Sequence, residues 1–390
     1  MTGTQNGTAT LSAHLDPVID RALAEQRIVG TVVLASYDGE LVYRRAAGFA
    51  DRESGIPMRE NAIFRLSSLS KPMVSATALA MVEQGQLNLD DTVRKWIPEF
   101  HPALPDGTEP EITIRELLSH TAGLSYGFFE PEDGPYHKAN VSDGLDQPGL
   151  SIEENLERIA SVPLAYKPGT SWAYSVAADV VGATIARAGR CSLPEAVSRF
   201  VTMPLAMKDT GFAVTDRTRL AIPYADGSPI PAPMEAFQIV NFAYGSIRFA
   251  PARVFDPSSF PSGGCGMNGT AHDFMTFLEV FRTGGKPILT AESVKAITTD
   301  QTHGRGPGPG LAFGFGVSVV TDPATAGTPQ STGTYAWGGV YGHSWFVDPA
   351  KRLTVVMLTN TAVEGVFGQY PTQVRDAVYA AQDAYLSDVA

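Results

Sequence analysis

The chain has 390 residues, 44% hydrophobic and 18% charged, enough to bury a large core and to divide into two lobes. Its formal net charge of -12 argues against nucleic acid as a partner, because the phosphates would be repelled. No stretch approaches the roughly 18 apolar residues of a membrane span, and the longest apolar region, "MVSATALAMV" at 73–82, suits a buried helix.

Residues 1–9 are rich in Thr and Gly and are expected to be disordered. They hold neither a basic segment nor an apolar one, so no signal peptide is read and a cytoplasmic location is expected. Cys191 and Cys265 are then expected as reduced thiols. The His and Cys residues show no metal-ligand spacing, so neither a metal nor a cofactor is expected. No membrane partner is expected, and a monomer fits.

In chain order, "LDPVIDRALAEQ" (15–26) has helical spacing of apolar residues, with Asp16-Pro17 as a start signal. Residues 30–49 form two β-rich runs joined at Asp38-Gly39, a strong hairpin signal. A helix apolar nearly all round follows from about 68 to 84 and stops at Gly85. Short helical patterns at 113–120, 151–161, 176–189 and 192–201 alternate with Pro/Gly-rich loops. A long loop, 250–268, leads into a further helix from 270. Strand patterns appear at 311–321, 344–349 and 352–360, and a last helix covers 370–386. Strands lie at both ends and helices between. The order implies an α/β (α+β) fold: one antiparallel sheet from both termini flanked by helices, with an inserted, mainly helical domain. The expected boundaries are 10–85 with 246–390 for the α/β domain and 86–245 for the insertion.

Two serines compete for the role of nucleophile. Residues 123–127 read "GLSYG", the G-x-S-x-G pattern of a nucleophile elbow centred on Ser125. An elbow needs a strand before it and a helix after it. Here the preceding "EITIRELLSHTA" is helical in character, and the following "FFEPEDGPYH" holds two prolines and a glycine. His343 is available as a downstream triad histidine, but the local context is missing, and Ser125 is read as a loop serine.

The second candidate is Ser68, in "SLSK" with Lys71. Of the eight lysines, only Lys71 has a serine three residues before it. Serine and lysine at i and i+3 share one helix face. Pro72 places the helix start close by, with an irregular first turn, since proline is tolerated only there. A serine hydroxyl needs a base to become a nucleophile. The helix dipole and burial would both favour the neutral amine of Lys71, which could serve as that base. Backbone N–H groups at the helix start could hold an oxyanion.

Further stretches fall in order along the chain: "LLSHTAGL" (117–124), Tyr174-Ser175-Val176 before a helix, "PSGGCGM" (261–267) and Trp337-Gly338-Gly339 at a strand edge. With "SLSK" they resemble the serine β-lactamase and penicillin-binding-protein superfamily, and within it the family VIII carboxylesterases. The resemblance runs from about residue 15 to the C-terminus. It implies that Ser68 forms an acyl-enzyme, that Lys71 is paired with it, and that Tyr174, with the lysine, takes the serine proton and later protonates the leaving group. It implies an oxyanion hole from the backbone N–H groups of Ser68 and Val340. It also places Tyr126 at the edge of the cleft, lining the acyl or alcohol pocket.

The departures carry information. The β-lactamases and peptidases of the superfamily have Tyr-x-Asn, where this chain has Val176. They have Lys-Thr/Ser-Gly on the sheet edge, where this chain has Trp337, Gly338 and Gly339. A tryptophan offers a flat apolar wall and one N–H donor instead of a cation for a carboxylate. The expected activity is hydrolysis of short-chain carboxylic esters, with neutral, compact acyl groups preferred. The alternatives are a β-lactamase or D-amino peptidase, an acyltransferase on the same fold, and a catalytically silent binding module.

Overall fold

A computed structural model describes residues 10–227 and 229–381 with their side chains, and the backbone elements at the two ends slightly further. The backbone of residues 2–9, expected to be disordered, belongs to a helix, Thr2–Ala24, and residue 1 lies outside the described residues.

The sheet has eight strands and takes three of them from the N-terminal part of the chain. These are β1 (Gly30–Tyr37), β2 (Glu40–Asp51) and β3 (Ile56–Pro57). A separate hairpin, β4 (Gln238–Phe242) and β5 (Gly245–Phe249), stands apart from this sheet. The C-terminal part supplies β6 (Leu311–Phe313), β7 (Ser318–Val320), β8 (Tyr335–Gly339), β9 (His343–Asp348) and β10 (Leu353–Thr359). The strand order is β6-β7-β8-β9-β10-β1-β2-β3, and each neighbouring pair is antiparallel. The two ends of the chain meet at the β1–β10 seam, where Thr31 lies opposite Thr359 and Tyr37 opposite Leu353. Asp38 and Gly39, with φ of 52° and 87°, turn the β1–β2 hairpin in the left-handed region that Asp and Gly tolerate.

Side chains alternate between two buried faces, as a period of two requires. Val32, Leu34, Val356 and Leu358 enter the main core, whereas Val33, Ala35, Val355 and Met357 enter a second one. The second core is closed by Leu15, Ile19 and Ala22 of α1 (Thr2–Ala24) and by Tyr370, Val374 and Val378 of the last helix, Gln369–Val389. Pro17 lies inside α1, so Asp16-Pro17 does not start the helix as expected; the α1 backbone passes through Pro17 with one N–H bond fewer.

On the other face lie α2 (Ser70–Glu83) and a helix at Ala271–Arg282, which sends Phe274, Phe277, Leu278 and Phe281 inward. Every residue of α2 from Ser70 to Met81 is buried. Side chains such as Met73 and Leu79 each contribute about 1.5–3 kcal/mol by leaving water, and both belong to the main core. Among the described residues no helix is long and apolar enough to cross a membrane. The same core continues into the short helices between residues 114 and 202.

The run 311–321 is not one strand. Gly314 N–H bonds the Val317 carbonyl at 2.8 Å, and the chain folds back so that β6 pairs with β7. Two glycines within "FGFGV" give the backbone that freedom, and an apolar alternation hid it.

Candidate active site

A 3-10 turn, Ser67–Leu69, feeds directly into α2, so the irregular start expected before Pro72 is a tighter turn. Ser67 takes φ 46°, a strained backbone for a serine, and its carbonyl accepts the Ser70 hydroxyl at 2.7 Å. Ser68 therefore sits at the start of a buried helix, with its hydroxyl facing Lys71 and Tyr174.

Lys71 lies one turn on and is 1% exposed. Its ammonium donates to Ser68 Oγ at 3.2 Å and to the Gly264 carbonyl at 2.9 Å. That carbonyl is held in place from behind. Asp179, in the first turn of the helix Ala177–Gly189, accepts from Ser262 Oγ at 2.6 Å and from Gly264 N–H at 3.0 Å. Cys265 follows, with its sulfur 4.0 Å from Ser68 Oγ; burial pushes its thiol up to about 11. Both cysteines are free.

Tyr174 comes from the far side, just ahead of the same helix. Its hydroxyl donates to Ser68 Oγ at 2.7 Å. Lys71 Nζ lies 4.6 Å from the centre of the Tyr174 ring. Trp337 on β8 donates its indole N–H to the Tyr174 oxygen at 3.1 Å. The N–H that sequence reasoning offered to a substrate is thus directed at Tyr174.

The ionisation of Lys71 corrects one expectation. Burial acts to lower its pKa, but the oxygen of Tyr174, the sulfur of Cys265 and the Asp179 carboxylate act together in the opposite direction. The net shift is upward, so the site favours the ammonium rather than the neutral amine. Helix dipole and burial can be read from local sequence; the Tyr174, Cys265 and Asp179 groups around Lys71 come from distant parts of the chain.

The end of β8 packs on the Ser67–Leu69 turn. A Cβ on Gly339 would stand 2.6 Å from the Leu66 carbonyl and 2.6 Å from Ser67 Oγ, so only glycine lets the strand come this close. Val340 follows directly and is buried. Gly338 faces Val366 on the short helix α9 (Glu364–Phe367, labelled after α3 Ile114–Leu118, α4 Ile152–Ser161, α5 Ala177–Gly189, α6 Leu193–Val197, α7 Ala271–Arg282 and α8 Ala291–Thr298).

Tyr126 is placed differently from the cleft-edge position expected for it. It is 0% exposed, stacks on Phe128 at 4.4 Å and tilts against Tyr174 at 5.0 Å. Its ring centre lies 5.2 Å from Lys71 Nζ, so it forms the floor behind the reacting groups. The reason is burial: the loop after "LLSHTAGL" turns inward, and Phe129, 38% exposed, takes the outward position instead.

Ser125 is a loop serine. Its N–H donates to the Tyr136 hydroxyl at 2.9 Å and its Oγ to the Tyr126 carbonyl at 3.4 Å. His343 cannot serve it, because Nε2 of His343 is spent on the Arg65 carbonyl at 2.8 Å within the core.

Sequence reasoning missed two residues. One is Asp179, whose place in the first turn after "YSV" was the available signal. The other is His120, inside the quoted "LLSHTAGL" but given no role. His120 Nδ1 accepts the Ser175 N–H at 3.2 Å, and its carbonyl accepts the Ala173 N–H at 3.1 Å.

A serine flanked by a lysine and a tyrosine, on a helix beneath an antiparallel sheet edge, defines the class of a β-lactamase-like fold. The family model described as Beta-lactamase matches residues 15–380, and the chain belongs to that family. It is 47% identical over 380 residues to Esterase EstB of Burkholderia gladioli, covering 95% of this chain and 96% of that one. Among solved structures it is similar to EstCE1, described as a hydrolase with promiscuous acyltransferase activity, with a TM-score of 0.91 and 43% identity over 95% of this chain and 99% of that one. Unliganded LovD of Aspergillus terreus, a simvastatin synthase, shares the fold at a TM-score of 0.74 and 21% identity, covering 95% of this chain and 99% of that one.

Proposed function

We propose that this protein hydrolyses short-chain carboxylic esters through an acyl-enzyme on Ser68. That it is a carboxylic ester hydrolase rests on its close homology to EstB and EstCE1. The observation that carries the mechanism is the double contact of Ser68 Oγ with Tyr174 at 2.7 Å and Lys71 at 3.2 Å.

In the reactive form of the pair, the Lys71 ammonium faces the deprotonated oxygen of Tyr174, which takes the Ser68 proton as Oγ attacks the ester carbonyl. The carbonyl electrons move to oxygen, and the N–H groups of Ser68 and Val340 hold that charge. When the tetrahedral intermediate collapses, the C–O bond to the alcohol breaks and Tyr174 returns its proton to the departing alkoxide. Water then attacks the acyl-enzyme, again giving its proton to Tyr174; the bond from the acyl carbon to Ser68 Oγ breaks, Tyr174 returns the proton to Oγ, and the carboxylic acid leaves. No metal or cofactor enters these steps, and the partner is a small ester.

Trp337 stands where a β-lactamase has its carboxylate-binding lysine, and Val176 where it has asparagine, which favours esters over β-lactams. Acyl transfer to an alcohol is the second reading. It is supported by EstCE1, whose description includes promiscuous acyltransferase activity.

The test compares turnover of p-nitrophenyl acetate and butyrate with that of a chromogenic cephalosporin, with and without an added alcohol. Faster opening of the cephalosporin ring than of either ester refutes the esterase reading. A phosphonate label found on Ser125 by mass spectrometry, rather than on Ser68, refutes the nucleophile.

A further inference from the structure

Five aromatic side chains follow one another in an arc that starts at the catalytic groups. Trp337 lies 4.9 Å from Tyr174, and Tyr174 lies 6.4 Å from Phe129, centre to centre. Phe129 lies 6.3 Å from Phe242, near the tip of the β4–β5 hairpin. Phe242 stacks on Phe367 of α9 at 5.2 Å with the planes 16° apart. α9 returns to the sheet edge, where Val366 fills the space over Gly338 next to Trp337.

The aromatic contacts form an open arc, and Val366 over Gly338 brings its far end back beside the strand that carries Trp337. The arc is made without a charged side chain. Part of it is open to solvent, with Phe129 38% and Phe367 48% exposed. Single exposed apolar residues need no explanation, but a connected aromatic patch that begins at a catalytic tyrosine does.

The placement says which half of an ester it faces. Tyr174 is the group that hands a proton to the leaving alcohol, so the alcohol oxygen must lie against the Tyr174 hydroxyl during collapse. Phe129 packs on the Tyr174 ring edge-on, at 66° between planes, and Phe242 lies beyond Phe129. A substituent on the alcohol oxygen therefore extends into the arc of aromatic side chains, while the acyl group lies on the other side of the carbonyl carbon.

We propose that this arc is the alcohol-side subsite and selects esters of aromatic or arylalkyl alcohols with short acids. The proposal rests on the acyl-enzyme mechanism above and adds the substrate class. Flat rings gain from offset and edge-to-face contacts with Phe129 and Phe242, which aliphatic groups of similar size do not obtain. Phe367 holds Phe242 across the cleft and is a positioning residue for it.

The test uses benzyl, cyclohexylmethyl and ethyl acetates, whose alcohols differ in shape more than in acidity. The wild-type protein is expected to prefer benzyl over ethyl acetate by about ten-fold in kcat/KM, with cyclohexylmethyl acetate between them. In Phe242→Ala and Phe367→Ala the benzyl-to-ethyl ratio falls about ten-fold. Phe242→Leu, which keeps apolar volume, retains the cyclohexylmethyl preference and loses the benzyl one. The proposal is overturned if the ratio is unchanged in both alanine variants, or if the variants alter discrimination between acetate and butyrate instead. Failure of the underlying mechanism looks different: Ser68→Ala would then keep turnover of all three acetates, whatever their ratio.

Discussion

The imidazole of His120 lies 5.0 Å from the phenol ring of Tyr174, and His120 holds the backbone on both sides of that residue, once through its ring and once through its carbonyl. The His120 carbonyl takes the N–H of the residue before Tyr174, and its Nδ1 takes the N–H of the residue after. Only a ring unprotonated at Nδ1 can do this. Burial, with the Lys71 charge added, holds the His120 pKa well below its usual range and keeps the ring neutral.

His120→Ala is expected to lower kcat about 100-fold, the scale of a 1 Å misplacement of a reacting group, with a much smaller change in KM. His120 has φ 57°, a region that Asn tolerates, and Asn carries an acceptor close to Nδ1. His120→Asn should therefore recover most of the loss. Steady-state kinetics on p-nitrophenyl butyrate decide it; equal damage from Ala and Asn would mean a merely structural role.

Trp337 donates to the same oxygen that donates to Ser68. Trp337→Phe keeps an aromatic wall and removes that donor. A fall of about ten-fold in kcat is expected because the hydrogen bond that orients the working oxygen is lost. Tyr174→Phe and Lys71→Ala should each cost about 10²–10⁴-fold. A Trp337→Phe variant with the wild-type kcat would show that the indole N–H has no part in orienting Tyr174.

Gly339→Ala places a methyl group 2.6 Å from the Leu66 carbonyl and pushes β8 off the Ser67–Leu69 turn. The Val340 and Ser68 N–H groups then separate. A loss of about 10²–10³-fold in the rate of phosphonate inactivation is expected, the scale of one oxyanion donor. Inactivation at the wild-type rate would place the oxyanion hole elsewhere.

His343 is buried, with its pKa lowered to about 4 by burial against the opposing bonds to Arg65 and Gly342. The unfolded chain binds this proton near 6.5, so between about 6.5 and 4 it is the unfolded state that gains protons. The stability contributed by neutral His343 is complete above about pH 6.5 and is lost as the pH falls toward 4, up to about 3 kcal/mol. Thermal melts from pH 7 to 4.5 should show a falling Tm. In His343→Gln the slope over that window should be shallower; an identical slope would assign the loss to other groups.

Much of the design was legible from local pattern. The hairpin at Asp38-Gly39 and the pairing of Ser68 with Lys71 depend on neighbours in sequence, and a period of two or of 3.6 records them. Tyr126 was not legible in the same way. Nothing in "GLSYG" says that the loop turns its tyrosine inward and leaves Phe129 facing outward. The Asp16-Pro17 start and the single strand at 311–321 failed for a related reason. Tertiary packing carried a helix through a proline, and two glycines folded an apolar run back on itself.

The sequence by itself determined the fold class and singled out Ser68, Lys71 and Tyr174 as candidates, because each rests on spacing along one element or on motifs in fixed order. Only the tertiary structure decided the surroundings of Lys71, the contacts of His120 and the arc of aromatic side chains beside Tyr174. Those depend on groups brought together from residues 120, 126, 174, 179, 242, 265, 337 and 367. Electrostatic and ring contacts act over a few ångströms in space, and separation along the chain carries no record of them.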